Sequence, residues 1–253
     1  MLGFTNEVDG ARIAIGMQMK VTAIIPASGR GTRMQSSVAK QYMELCGKPL
    51  LYHTIKAFEE SPVDDIILVV PEGEEDFVRV TIVEPNGFYK VKKIVVGGEA
   101  RYNSVFNGLL AAVGSDYVLI HDGARPLVDE ALIIRCIETV QKEKACIAAV
   151  PVKDTIKEIS ADGAVEQTID RSKLYAIQTP QCFDYPLILN AYSRLFRQAA
   201  SGAMRLDGIT DDASVIELVT EQPVKLVQGD YRNLKVTTPE DIVVAEALLR
   251  NKK

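Results

Sequence analysis

The sequence predicts a three-layer α/β protein: a mostly parallel β-sheet with helices on both faces and a β-hairpin arm protruding from it. Three observations carry that expectation. Short, nearly unbroken Val/Ile/Leu runs recur along the 253 residues, and strands that read apolar throughout are those covered on both faces, as in a parallel sheet. Between them lie stretches whose apolar residues return every three or four positions, the period of one helix face. A single segment, 153–172, breaks this alternation.

Taken in order, VTAIIP at 21–26 is the first strand. PLLYHTIKAFEE at 49–60 follows as a helix, with Pro49 near its first turn, where a missing N–H costs nothing. DIILVV at 65–70, KKIVV at 92–96 and YVLIH at 117–121 are the next strands. The stretch 101–113 places Val105, Leu109 and Ala112 on one helical face, and 129–143 does the same with Ile133, Ile137 and Val140. CIAAVPV at 146–152 is a fifth strand. Then DTIKEIS and AVEQTI flank Asp162-Gly163, a turn dipeptide, and read as the two strands of a hairpin arm over about 153–172. A lone hairpin needs a surface to rest on, and a partner subunit is one candidate. Helices near 184–200 and 211–220, strands near 224–228 and 233–236, and a helix from about 239 complete the chain. The last helix has a clear start: Thr238 as N-cap, Pro239 next, then Glu240 and Asp241. The pattern suggests an extension over 1–19 and one domain over 20–253, without repeats or a linker.

Composition narrows the function. Hydrophobic residues make up 47% and the formal net charge is −5, which argues against a disordered chain and against bulk nucleic-acid binding. No apolar run approaches the ~18 residues of a membrane span. The four cysteines, Cys46, Cys136, Cys146 and Cys182, form no CxxC pair and suit reduced, buried thiols in a cytoplasmic protein. The two histidines, His53 and His121, are too few for a His-rich zinc site. Residues 1–19 lack the basic start and apolar core of a signal segment.

Chemistry-bearing residues collect at strand ends. The first strand runs into ASGRGTRM, 27–34, where Gly29 and Gly31 allow a tight turn with outward N–H groups, flanked by Arg30, Arg33 and then Lys40. The dinucleotide fingerprint lacks its third glycine, at Met34, and the P-loop lacks its spacing and its Lys-Ser/Thr. A triphosphate site fits this loop; a plain turn with solvated charges is the other reading. Gly97-Gly98, before Glu99, Arg101 and Ser104, allows either close approach of a base or sugar or a helix-entry turn. In HDGARP, 121–126, Asp122 is a sugar-binding or metal-linked carboxylate or a helix cap, and Arg125 follows it, whereas His121 belongs to strand packing. Thr210, Asp211 and Asp212 precede a helix and could cap it. Lys235, inside a short strand, is an edge device or reaches into a site. In a parallel sheet the loops at 27–34, 97–104, 122–126 and 153–155 emerge on one edge, gathering Arg30, Arg33, Arg101, Arg125 and Lys40 into a basic crevice. That is the outline of an enzyme acting on nucleotide phosphates.

These motifs together resemble the 2-C-methyl-D-erythritol 4-phosphate cytidylyltransferase family over about residues 20–250. ASGRGTRM with Lys40, GGEARYNSV, HDGARP, PVKDT, the Asp-Arg at 170–171, QTPQ, TDDAS and NLKVTTPED occur in the family's order. Three positions depart from its pattern: Ser28 and Gly123 each stand where it has alanine, and Ala39 where it has proline. The resemblance implies a Rossmann-like nucleotidyltransferase fold and transfer of CMP from CTP to methylerythritol phosphate, with magnesium held mainly by the CTP phosphates and no protein ligand assigned. It implies catalytic roles for Arg33, Lys40, Lys235 and Arg171. Ala27, Ser28, Gly29, Gly31, Gly98, Glu99, Arg101 and Ser104 would hold the nucleotide. Asp122, Arg125, Thr155, Arg171, Thr179 and Thr210 would hold the acceptor, with Thr155 and Arg171 reaching the neighbouring site of a homodimer through the arm. Competing readings are a ribitol 5-phosphate cytidylyltransferase, a non-catalytic nucleotide-binding module and a nicotinamide-dependent oxidoreductase, the last disfavoured by the absent glycine. No nucleic-acid or membrane partner is expected.

Overall fold

The computed structural model describes residues 19–29 and 39–251. Arg30, Gly31, Arg33 and nearly all of the 1–19 extension therefore lie outside the described residues. A seven-stranded sheet runs through the molecule in the order β11-β7-β10-β6-β1-β4-β5. Its strands are β1 (Val21–Pro26), β4 (Asp65–Val70), β5 (Val91–Val96), β6 (Tyr117–Ile120), β7 (Ala145–Pro151), β10 (Tyr175–Asp184) and β11 (Lys225–Gln228). β2 (Glu44–Leu45) and β3 (Lys48–Pro49) form a minimal hairpin, and β8 (Lys157–Ile159) pairs antiparallel with β9 (Val165–Thr168) in a separate, exposed one. Within the main sheet every pairing is parallel except the two made by β10.

The pleat sorts the core into two layers. Ala23 and Ile25 of β1 face α1 (Leu50–Glu59) and α3 (Glu130–Glu143), with helical turns over 75–86 beside them. Ile24 faces the other way, onto α2 (Arg101–Ala111), α4 (Tyr185–Ala200) and α5 (Asp212–Val219). The helical faces expected from spacing are the buried ones: Val105, Leu109 and Ala112 in and just past α2, and Ile133, Ile137 and Val140 in α3. Each fully buried Val, Leu or Ile contributes roughly 1.5–3 kcal/mol. A third, smaller cluster joins Leu45, Leu50, Ala124, Leu127 and Val236 to α6 (Pro239–Arg250). α6 starts as expected, with the Asp241 carboxylate accepting the backbone N–H groups of Thr237 and Thr238.

Three expectations are corrected. The apolar pattern predicts no strand over 175–184, yet β10 is the longest in the sheet and its only antiparallel member. Its Gln, Thr and Pro residues mask the period-two pattern, and only the flanking strands β6 and β7 give it partners. Residues 233–236 are not a strand: the backbone-to-backbone bond that joins this segment to another part of the chain is Val236 N–H to Ala124 C=O, too little for a ladder. Cys46 is exposed in the β2–β3 turn, while Cys136, Cys146 and Cys182 are buried, all four as free thiols.

Candidate active site

The parallel strands bring their carboxyl ends to one edge, and a cleft of two lobes opens there. The larger lobe, about 580 Å³, is lined by Ala27, Ser28, Gly29, Lys40, Gln41, Gly98, Glu99, Arg101, Ser104, Asp122, Gly123 and Lys235 among others. The smaller, about 260 Å³, is lined by Arg101, Asp122, Arg125, Ile177, Gln178, Thr179, Gln181, Thr210, Asp211 and Lys235. Arg101, Asp122 and Lys235 border both and form the wall between them.

In the larger lobe, backbone and small side chains set the shape. The Ser28 and Ser104 hydroxyls lie 2.8 Å apart, and Ser104 Oγ accepts the Gly98 N–H at 3.0 Å. This ties the loop after β1 to the first turn of α2. Glycine is required beside it: a Cβ on Gly97 would lie 2.4 Å from Ser28 Oγ and 2.5 Å from its Cβ, and one on Gly98 would lie 2.3 Å from Asn103 Cβ. Close approach, not an unusual backbone angle, is the reason for both. Ala39 has φ −61°, an angle proline also takes, so its departure from the family pattern leaves the entry to Lys40 unstrained.

The dividing wall is ionic. Asp122 Oδ2 is 2.8 Å from Lys235 Nζ and 3.8 Å from Arg125 Nε, while its Oδ1 accepts from Arg101 Nε at 3.2 Å. Burial works to push the pKa of this carboxyl up, but Arg101, Lys235 and Arg125 hold it well below the usual carboxylate range. Asp122 is thus an anion matched to three cations, not a helix cap. The cap of α3 is Asp129, whose carboxylate accepts the Leu132 N–H. Lys235 reaches this wall because its neighbours alternate with it: Leu234 and Val236 pack into the small core against α6, which leaves Lys235 facing the cleft.

In the smaller lobe, Arg125 Nη1 donates to the Asn233 carbonyl at 2.7 Å, and Asn233 Nδ2 donates to the Thr179 carbonyl at 2.8 Å. These bonds fasten the Lys235 segment to β10. His121 is fully buried, and burial pushes its imidazole down to about 4, so the ring is neutral at pH 7. Its Nε2 faces the Arg125 carbonyl and donates; its Nδ1 accepts from the Thr179 hydroxyl at 3.0 Å, which itself accepts the Asp122 N–H. The tautomer follows from the carbonyl, and it commits the Thr179 hydrogen to His121.

Of the residues singled out in the sequence, the cleft brings together Ala27, Ser28, Gly29, Lys40, Gly98, Glu99, Arg101, Ser104, Asp122, Arg125, Thr179, Thr210 and Lys235. Thr155 and Arg171 line neither lobe; both are exposed beside the hairpin, where Arg171 Nη1 donates to the Lys153 carbonyl at 2.8 Å. The expected contribution of 153–155 to the crevice is therefore replaced by 177–181 and 210–211. Sequence reasoning missed Gln178, Gln181 and Asn233, and it read Asp212 only as a cap. The capping is done by Asp211, which accepts the Ser214 N–H, while Asp212 takes both terminal nitrogens of Arg101 at 2.9 and 2.7 Å. The one sequence signal was the doubled aspartate itself, since a single cap needs one.

Among the described residues no group of three or more His, Cys, Asp or Glu side chains could hold a metal ion, and no helix is long and apolar enough to cross a membrane.

A glycine-shaped lobe and a polar lobe, separated by a wall of opposed charges at the carboxyl edge of a mostly parallel sheet, define an α/β protein built to juxtapose a nucleotide with a second polar ligand. Comparison with known proteins gives the family. The family model described as IspD, 2-C-methyl-D-erythritol 4-phosphate cytidylyltransferase, matches residues 21–251. A protein of that name from Lachnoclostridium phytofermentans is 51% identical over 231 residues, covering 91% of this chain and 97% of its own length. The crystal structure of 4-diphosphocytidyl-2C-methyl-D-erythritol synthase from Anaerococcus prevotii superposes with a TM-score of 0.78 at 36% identity, over 92% of this chain and 97% of the other. That of 2-C-methyl-D-erythritol 4-phosphate cytidylyltransferase from Thermus thermophilus gives 0.73 at 31% identity, over 92% and 100%. The chain belongs to the 2-C-methyl-D-erythritol 4-phosphate cytidylyltransferase family, a family of nucleotidyltransferases.

Proposed function

We propose that this chain transfers CMP from CTP to 2-C-methyl-D-erythritol 4-phosphate, forming 4-diphosphocytidyl-2-C-methyl-D-erythritol and pyrophosphate, a step of non-mevalonate isoprenoid synthesis. The observation that carries the reading is the wall of Arg101, Asp122 and Lys235 shared by the two lobes, because a group passed between two ligands must pass at their common boundary. The nucleotide takes the larger lobe. Ala27, Ser28, Gly29, Gly98, Glu99 and Ser104 surround its base and ribose, and backbone groups that match cytosine leave any other base unpaired. Arg33, with Gly31 in the same loop, and Lys40 hold the triphosphate. Asp122, Arg125, Thr179 and Thr210 hold the acceptor, Thr179 by an oxygen lone pair since its hydrogen serves His121.

An acceptor phosphate oxygen attacks the α-phosphorus in line as the bond to pyrophosphate breaks. Charge grows on the bridging and equatorial oxygens, and Lys235 on one side with Arg33 and Lys40 on the other neutralise it. Magnesium would supply further charge neutralisation on the phosphates. With both Asp122 oxygens engaged by cations, the ion would be carried mainly by phosphate oxygens and water. Thr155 and Arg171 complete the acceptor site of a second copy in a homodimer built on the hairpin, whose Ile159 and Val165 are exposed in the isolated chain. Residues 20–253 act as one catalytic domain behind the 1–19 extension. Four free thiols, one of them exposed, suit work in the reducing cytoplasm.

The test is pyrophosphate release by the purified protein with magnesium and CTP, offering methylerythritol 4-phosphate and ribitol 5-phosphate in parallel. Release with the first acceptor alone is expected. Release with ribitol phosphate alone keeps the chemistry and overturns the pathway. Silence with both, from protein that still binds CTP, means a binding module.

A further inference from the structure

Arg101 engages all three nitrogens of its guanidinium. Nη1 and Nη2 donate to the two oxygens of Asp212 at 2.9 and 2.7 Å, and Nε donates to Asp122 Oδ1 at 3.2 Å. Asp212 is fully buried and lines neither lobe, so it touches no ligand. It is itself held from two sides: the Tyr192 phenol donates to its Oδ1 at 2.7 Å, and Gln181 Oε1 accepts its backbone N–H at 2.9 Å. Despite burial, the two carboxylates hold the guanidinium firmly charged.

We propose that Asp212 is a positioning residue for cytidylyl transfer, and that its role is to keep Arg101 from monopolising Asp122. A guanidinium pairs best with a carboxylate through two parallel N–H donors. With Asp212 in place the end-on fork is occupied, and Arg101 meets Asp122 through Nε alone. Asp122 Oδ2 then stays with Lys235, at 2.8 Å, and the lysine is held at the boundary where the group is passed. Without the Asp212 carboxylate, the Arg101 fork turns to Asp122, takes both oxygens and releases Lys235. The consequence falls on transfer more than on nucleotide binding, because Asp212 lies outside both lobes and the backbone-shaped part of the larger lobe is untouched.

The proposal rests on the cytidylyl-transfer reading of the cleft, which turnover by the unaltered enzyme tests separately. For Asp212→Asn, a loss of about 30-fold or more in kcat is expected with the CTP dissociation constant, measured with magnesium and no acceptor, held within about threefold. Asp212→Glu keeps a carboxylate and recovers most of the rate. Tyr192→Phe removes a hydrogen bond from the same carboxylate but leaves the fork engaged; it lowers the melting temperature and changes kcat by less than about threefold. Arg101→Lys has no fork, so adding Asp212→Asn to it costs no further rate, a non-additive pair. Should Asp212→Asn not fold, Asp212→Ser is expected to show the same split, kcat falling about 30-fold or more with CTP affinity held within about threefold. Unchanged kcat in folded Asp212→Asn, an equal loss in Tyr192→Phe, equal losses in kcat and CTP affinity, or multiplicative losses in the double variant would overturn the proposal.

Discussion

Lys40 borders the larger lobe, and Arg33 belongs to the ASGRGTRM motif that follows β1 in sequence. If both neutralise the triphosphate as charge moves, Lys40→Ala and Arg33→Ala each lower kcat by about 10³-fold or more while circular dichroism stays unchanged; steady-state kinetics near the normal rate in both would remove those roles. Gly97 makes a second residue-scale test. A Cβ there meets both atoms of the Ser28 side chain, so Gly97→Ala separates Ser28 from Ser104 and weakens CTP binding by about tenfold or more, read by calorimetry. His121 gives a pH test. Its folded value of about 4 lies below the ordinary histidine value of about 6.5, so the unfolded chain binds more protons between those limits. Stability is therefore undiminished above about pH 6.5, falls as pH drops, and levels off below about pH 4, with roughly 3 kcal/mol lost from this group. His121→Gln is less stable at pH 7, yet its urea midpoint falls less across that range.

The elements differ in how legible they were. Strands β1, β4, β6 and β7 announce themselves because burial on both faces demands continuous apolar residues, β5 at the sheet edge through its half-buried Ile94, Val95 and Val96, and α2 and α3 because one face must be apolar. β10 does not, because its middle carries Gln178, Thr179 and Gln181, which serve the cleft and the N-terminus of α5. Function overrides strand pattern there. The hairpin β8–β9 was visible through Asp162-Gly163, and Gly163 does adopt a positive φ, +87°. Its residues are exposed along both strands, and two strands alone are marginal in water. Replacing 157–168 by a short Gly-Ser link is expected to convert a dimer to monomer in sedimentation velocity and to cut turnover, leaving CTP binding near normal; an unchanged dimer would reject the hairpin as its clasp.

Across the whole molecule, the ligand and the fold are linked. In the proposed reading CTP with magnesium is held where residues 27–29, the first turn of α2 and the Lys235 segment meet, an arrangement that only the folded chain assembles. At about 100 times its dissociation constant it should therefore add about 2.7 kcal/mol of stability. Thermal unfolding should rise with CTP and not with nicotinamide nucleotides. The sequence by itself determined the α/β class, most of the strand order in time, the glycine-shaped loops and the charged residues of the cleft, since burial periodicity and turn chemistry are local and written one residue at a time. Which charges meet was decided only by the tertiary structure. Lys235 reaches Asp122 because Leu234 and Val236 are drawn into a core beside α6. Asp212 grips Arg101, 111 positions away, because α5 and α2 share one face of the sheet. Such pairings depend on where the chain returns, and no local pattern of residues encodes that.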